Sequence, residues 1–250
     1  MPHFYVINLA RSKDRWEKFT INPVYSNKLF TRIEAIDGRL VSEDEYSEYD
    51  IDRFRQNNGR HPKPGEYGCY LSHVNAMRTF YESNHKFAVI LEDDVKIDAE
   101  QVSFCNYLDE NYSEKPLLIR LETNRKPSFE PMLTSPSGHE IGQCWFGPTG
   151  GSCAYWINKS GVSRLLEAVT PGYLPFDTML ERPWYHGVPT FVTRPSVFPH
   201  PTPPYSEIGS TSDLKYNKFP VYKRISTLLF RTKELVMRLA NSIKTRKIPQ

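Results

Sequence analysis

Three acidic residues in a row, Glu92-Asp93-Asp94, close the apolar run Phe87-Ala88-Val89-Ile90-Leu91, and this is where the chain best suits chemistry. Side by side the carboxylates repel, and each raises the pKa of the next. A hard divalent cation such as Mn2+ or Mg2+ removes that cost: it takes carboxylate oxygens and keeps further positions open for phosphate oxygens. On a strand, residues two apart share a side. Glu92 and Asp94 therefore point together and Asp93 points away. The pair is expected to converge on one ion, or on a water of its shell, and such an ion neutralises a diphosphate leaving group. The other reading is a solvated acidic cluster that caps the next turn.

For the acids to form a site, residues 87–91 must be a strand whose end opens on a cleft. Residues 4–9 read as a short buried strand, followed by a helix carrying Arg11, Lys13, Arg15 and Lys18 beside Trp16 and Phe19. A second strand over 29–36 ends at the turn Asp37-Gly38. Residues 42–54 read as helix, with Ser42 as N-cap and Glu45 three residues on. Residues 57–65 are a loop by composition. Tyr70, Leu71, Val74, Met77, Arg78 and Tyr81 recur at helical spacing, so 66–83 is a helix. Strands follow over 117–121, 152–157 and 191–193, with a helix around Leu165-Leu166. The prolines of 195–204 force an extended chain. Alternating strands and helices predict an α/β domain with a mostly parallel central sheet. Ligands of such sheets bind beyond the carboxyl ends of the strands, which is where the acidic triplet lies.

Charge divides the chain. It holds 32 Lys and Arg against 29 Asp and Glu, yet from Lys215 onward there are ten bases and a single acid, Glu234. The body is thus mildly acidic and the tail strongly basic, unlike a uniformly basic nucleic-acid-binding domain. Domains of 1–210 and 211–250 are expected. No apolar run of about 18 residues could cross a membrane. The N-terminus reads as a strand rather than a signal peptide. Cys69, Cys105, Cys144 and Cys153 form no C-x-x-C pair and read as reduced, buried thiols of a cytoplasmic protein. The abundant Tyr and Phe can stack on sugars and nucleobases as well as fill a core.

Taken together, several stretches resemble glycosyltransferase family 25, which holds bacterial lipo-oligosaccharide galactosyltransferases and animal collagen galactosyltransferases. They are Val6-Ile7-Asn8-Leu9 with Arg11 and Arg15; Ile36-Asp37-Gly38; Glu66-Tyr67-Gly68-Cys69-Tyr70-Leu71-Ser72-His73; and Val89 to Val95 around the acids. Arg120-Leu121-Glu122-Thr123, Gly150-Gly151 with the strand after it, and Pro175-Phe176-Asp177 complete the set, over about residues 3–200. Chain length, the lack of a secretory leader and the basic tail resemble the bacterial branch. The resemblance implies a GT-A-like nucleotide-sugar-binding fold, a UDP-sugar donor (UDP-galactose is the usual one) and inversion at the anomeric carbon. It makes Glu92-Asp93-Asp94 the counterpart of a D-x-D motif, with Glu in place of the first Asp. A late His completes the metal site in many GT-A enzymes, and His200 is the candidate here.

Inverting transfer needs a base for the acceptor hydroxyl and a carboxylate near an oxocarbenium-like centre. Asp177 is the first choice, with a helix N-cap as its other reading. Glu122 is the second, unless it pairs with Arg120. For the donor, Asn8 suits a uracil edge, Arg11 and Arg15 suit phosphate, and Asp37 before Gly38 suits a ribose hydroxyl or makes an Asx turn. Ser72 and His73 reach the donor or an acid, or are structural. Gly150-Gly151 permits close backbone approach or is simply a turn. Leu9, Asp93 and Arg120 complete the expected donor set.

In the tail, Leu228, Leu229, Leu235, Val236, Leu239, Ala240 and Ile243 fall in an arc of roughly 140°, with Arg224, Arg231, Lys233 and Arg238 outside it. A basic amphipathic helix suits an anionic membrane surface, where a lipid-linked oligosaccharide acceptor would be met, or it docks on the domain. A cytoplasmic enzyme, peripheral on the inner face of the membrane, is expected. Its rivals are a metal-dependent phosphohydrolase and a non-catalytic carbohydrate-binding or scaffold protein.

Overall fold

The computed structural model describes residues 2–25, 28–112, 115–125, 128–199 and 218–249. His200 and the second half of the proline-rich run, 200–204, lie outside them. The chain opens with β1 (Phe4–Leu9), α1 (Lys13–Thr20), β2 (Phe30–Ala35), α2 (Ile51–Asn58) and the long α3 (Pro64–Glu82). Next come β3 (Phe87–Glu92), α4 (Ala99–Asn111), β4 (Leu118–Arg120), β5 (Phe129–Thr134), β6 (Glu140–Cys144) and β7 (Ala154–Asn158). Then follow α5 (Lys159–Val169), α6 (Phe176–Leu180), α7 (Pro183–His186), β8 (Thr190–Arg194) and α8 (Ile225–Lys244).

One eight-stranded sheet runs β2-β1-β3-β7-β4-β8-β6-β5. Its strands alternate between two cores. Tyr5, Ile7, Ala88, Ile90, Tyr155 and Ile157 pack with α3 and α5 on one face. Phe4, Val6, Val89, Leu91, Ala154 and Trp156 pack with α1 and α4 on the other. Strands buried on both faces read as unbroken apolar runs, so their existence follows from composition and their direction does not.

That is why the expectation of a mostly parallel sheet needs correction. The α/β class holds, but among the described strands only β1/β2, β1/β3 and β4/β8 pair in parallel. Strand β7 runs antiparallel to both β3 and β4, and the β5–β6 hairpin joins β8 antiparallel. Residues 42–54 also differ from a single helix. Glu45 N donates to Ser42 O at 3.0 Å to close one 3-10 turn over Glu43–Glu45, and Ser42 N–H donates to Glu45 Oε2 at 3.0 Å to cap it. Glu48 then takes φ 55°, and Asp50 caps α2 by accepting from Arg53 N at 2.9 Å. Helix α4 carries the capping signature that went unread: Asp98 as N-cap, with Gln101 accepting from Asp98 N–H at 2.9 Å.

Strand β1 lies between β2 and β3, so the chain leaves it on one side and returns on the other. A crevice at such a reversal is the usual ligand site of an open α/β sheet. Among the described residues no helix is long and apolar enough to cross a membrane.

Candidate active site

In the parallel register Ile7 faces Glu92, so Asn8 and Asp93 meet where β1 and β3 end. Asp93 accepts from the Asn8 amide and pairs with Arg15 at 3.2 Å. Asn8 Oδ1 accepts from Arg32 Nε at 3.0 Å. Both ends of the Asn8 amide are thus engaged inside the protein, and the residue ties β1 to the end of β3 and to β2 rather than presenting itself to a base. Strand β3 ends at Glu92, so Asp94 is placed by the turn that follows and not by strand alternation: it approaches Arg15 at 3.8 Å, and the turn still brings Glu92 and Asp94 together. Their carboxylate oxygens and the Cys153 thiol lie within 4.8 Å of one another. An ion at about 2.1–2.4 Å from each oxygen bridges such a separation, so the paired carboxylates fit a single hard cation.

His73 supports this pair. Its ring is fully buried and stacks on Phe176 with centroids 4.4 Å apart. Nδ1 meets the Tyr155 hydroxyl at 3.2 Å and Nε2 meets Glu92 Oε1 at 3.4 Å. Fixed at both nitrogens, the imidazole orients Glu92. Cys69, His73 and Glu92 form a second close group, which shares Glu92 with the first. Burial foremost, then the Glu92 carboxylate, push the Cys69 and Cys153 thiols well up. The protonated thiols leave the carboxylates as the hard donors, the set preferred by Mg2+ and Mn2+.

A cleft of about 650 Å³ opens in front of the acids. Leu9, Arg11, Asp37 and Gly38 line it from the β1 and β2 ends, Arg15 from α1, and Ser72 and His73 from α3. Asp37 accepts from Arg11 at 2.8 Å and Arg39 Nε at 3.1 Å. The Arg39 hydrogen bond foremost, against some burial, holds Asp37 below the usual carboxylate range. The Asp37 turn meets α3 at backbone distance: a Cβ on Gly68 would stand 2.5 Å from the Ile36 carbonyl, and one on Gly38 would overlap the Pro64 carbonyl. Ser72 Oγ bridges the same junction, accepting from Ile36 N at 2.8 Å and donating to Gly68 O at 2.6 Å.

Asp177 lies on the cleft wall as the second residue of α6, so it is not the N-cap, which is Pro175. Its Oδ1 accepts from Thr178 N at 2.7 Å. Protein packs densely around the carboxyl; burial and then the Glu181 charge raise its pKa, and Arg120 offsets them only in part. Glu122 sits buried behind the wall, beneath Gly151, where a Cβ would strike its carboxylate. Arg120 does not pair with Glu122. Its buried guanidinium donates to Glu181 Oε1 at 2.9 Å and to the carbonyls of Gly150 (2.6 Å) and Gly151. Glu181 also accepts from Gly150 N at 2.8 Å. Arg120 is thus the internal clamp of the Gly150-Gly151 turn, whose φ values of 66° and 79° suit glycine. It does not reach into the cleft.

Several lining residues went unread in the sequence. Arg39, Arg60, Lys63, Asn124 and Arg125 all border the cleft. Arg60 forks onto the buried Glu66 carboxylate, with Nη1 at 2.7 Å from Oε2, and Glu66 also accepts from Lys63 N at 2.9 Å. The loops at 57–65 and around Arg125 show no periodicity, so only their basic residues near a proline-rich turn hinted at this wall.

The family model described as "Glycosyltransferase family 25 (LPS biosynthesis protein)" matches residues 1–180. Similar curated proteins include procollagen galactosyltransferase 2 of Homo sapiens, 25% identical over 224 residues, which takes in 84% of this chain and 33% of that protein. Procollagen galactosyltransferase 1-B of Xenopus laevis is 26% identical over 228 residues, with the same coverage of 84% and 33%. A glycosyltransferase 25 family member of Aedes aegypti is 31% identical over 106 residues, 39% of this chain and 17% of that protein. The chain spans about a third of the length of the first two relatives.

Proposed function

This chain belongs to glycosyltransferase family 25, and from that premise we propose that it is a metal-dependent transferase. It moves a hexose, galactose from UDP-galactose, onto the oligosaccharide of a lipo-oligosaccharide or lipopolysaccharide, with inversion. The donor sugar follows the names of its relatives, which are galactosyltransferases. The acceptor follows the description of the family. One observation carries the reading: the Glu92 and Asp94 carboxylates converge at the end of β3, in a cleft that Asp177 also lines.

In this reading Glu92 and Asp94 hold Mn2+ or Mg2+, with His200 as a third ligand. The bound cation supplies charge neutralisation to the diphosphate leaving group. Arg11 and Arg15 take the phosphates, and Asp37 takes a ribose hydroxyl. Asp177 accepts the proton as the acceptor oxygen bonds to the anomeric carbon. The bond from that carbon to the phosphate oxygen breaks, and UDP leaves on the opposite face. A carboxyl whose pKa is raised by burial suits this task, since it is a stronger base than an ordinary Asp. The acceptor's lipid puts the work at the cytoplasmic face of the membrane, with the tail after residue 210 as the peripheral anchor. No observation favours simple phosphohydrolysis or a scaffold role.

A panel of UDP-sugars tests this, each incubated with Mn2+, Mg2+ or chelator and assayed for UDP release. Release from UDP-galactose that needs a divalent ion supports the reading. Equal UDP release in chelator, or no UDP release while simple phosphate esters are hydrolysed to phosphate, would overturn it.

A further inference from the structure

Helix α8 docks on the body mainly through polar residues, with Phe230 packed against the core, and leaves an apolar stripe outward. Thr227 Oγ1 donates to Gln56 O at 2.9 Å. Glu234 takes a fork from Arg182, with Nε at 2.6 Å and Nη2 at 2.9 Å. Arg238 donates to Glu181 Oε2 at 3.0 Å, and Gln143 Nε2 reaches Ser242 O at 3.1 Å. These residues recur at helical spacing along one side. On the other side Leu228 and Leu229 are each 66% exposed, Val236 58% and Ile243 54%. This is the reverse of an ordinary surface helix, whose apolar stripe faces the core and whose charges face water.

The stripe runs from Ile225 to Ile243, about 27 Å at 1.5 Å per residue. At 100° per residue Arg231 borders it on one edge, and Lys233 and Lys244 on the other. The edges are cationic on both sides, and the single acid, Glu234, is turned inward to Arg182. An apolar strip flanked by bases matches an anionic bilayer surface, where the strip enters the acyl boundary and the bases remain among the headgroups. It does not match a second copy of itself, because antiparallel pairing of the stripes sets basic edge against basic edge.

We propose that this outward face of α8 is a lipid-docking surface that lies flat on an anionic bilayer, while the inward ion pairs fix it rigidly to the catalytic body. The proposal rests on the reading of the acceptor as lipid-linked and deepens it by naming the face that makes contact. Through Arg238 the helix shares Glu181 with Arg120, the clamp of the Gly150-Gly151 turn. The anchor therefore joins the site wall through side chains rather than through a slack tether.

The test is co-sedimentation of the full chain with vesicles of phosphatidylcholine alone or mixed with phosphatidylglycerol. It uses the wild type, the triple variant Leu228→Gln, Leu229→Gln, Val236→Gln, and the pair Arg231→Gln, Lys233→Gln. Wild type is expected on the mixed vesicles only. The triple variant should lose affinity on the order of a hundredfold, from the lost apolar burial. The pair should lose about tenfold and much of its salt dependence. Triple-variant binding equal to wild type, or a concentration-dependent dimer without vesicle binding, would overturn the proposal. UDP release from UDP-galactose is read in the same samples. If it is retained in the triple variant while vesicle binding is lost, the two readings separate; if wild type binds vesicles but releases no UDP, the enzymatic reading fails and the docking face stands.

Discussion

Asp94 and Glu92 set the outcome at the scale of single residues. Asp94→Ala is expected to lower metal-dependent turnover about a thousandfold, the several kcal/mol that a leaving-group cation supplies. His73→Gln should act at one remove, through Glu92. Its expected signature is a metal affinity lowered about tenfold to a hundredfold, with turnover restored by excess Mn2+. In the proposed mechanism Asp177 carries the pH dependence. Burial and the Glu181 charge raise its pKa, so the base form is lost at a higher pH than an ordinary Asp would allow as acid is added. The acid limb of kcat/KM should therefore lie above the usual Asp range, and Asp177→Asn should remove that limb and cost about a thousandfold in kcat. How far these roles were readable differs from residue to residue. Strand alternation leads one to expect Glu92 and Asp94 together, but it is the turn after β3 that brings them there. The internal commitments of Asn8 and Arg120 had no such local sign, because their partners Arg32 and Glu181 lie 24 and 61 residues away in the chain.

Elements hold those residues in place by close approach. Gly68 meets the Ile36 carbonyl and Gly38 meets the Pro64 carbonyl, backbone against backbone. Gly68→Ala should destabilise by about 2–3 kcal/mol, read as a lowered Tm, because neither backbone can yield cheaply. Helix α7 ends on a buried neutral imidazole: His186 Nδ1 accepts from Val188 N at 3.1 Å, and Nε2 meets Leu180 O at 3.3 Å. Burial foremost lowers its pKa to about 4. Between the ordinary value of 6.5 and about 4 the unfolded chain binds the proton and the fold does not. Stability should therefore fall with pH across that window, by about 3 kcal/mol from this group. Urea melts of wild type and His186→Gln at both ends of the window check it, the variant losing less. The β1, β3 and α3 segments announced themselves in the sequence by apolar runs and helical spacing. The reversed direction of β7 and the β5–β6 hairpin did not, because a doubly buried strand looks the same either way and the hairpin turn 135–139 sits in what reads as loop.

At the scale of the whole molecule, a mildly acidic body carries its cleft at the carboxyl ends of β1 and β3, and a basic helix is locked across its surface. Glu181 joins the two, since Arg120 and Arg238 both bind it. Burial pushes the Glu181 carboxyl up, but the two guanidinium charges outweigh it and hold it below the ordinary Glu range. Glu181→Ala leaves Arg120 buried and uncompensated, and should cost about 3–5 kcal/mol. The charge division was plain in the sequence, whereas the inward turn of Glu234 and Arg238 needed the docked helix to be seen. The central claim is that a divalent cation on Glu92 and Asp94 holds the diphosphate of a sugar nucleotide. The most direct measurement is the melting temperature with saturating UDP, in Mn2+ and in chelator, for wild type and Asp94→Ala. The account predicts that UDP raises Tm only in wild type with Mn2+, by several degrees. The same rise in chelator, or in Asp94→Ala, would contradict it.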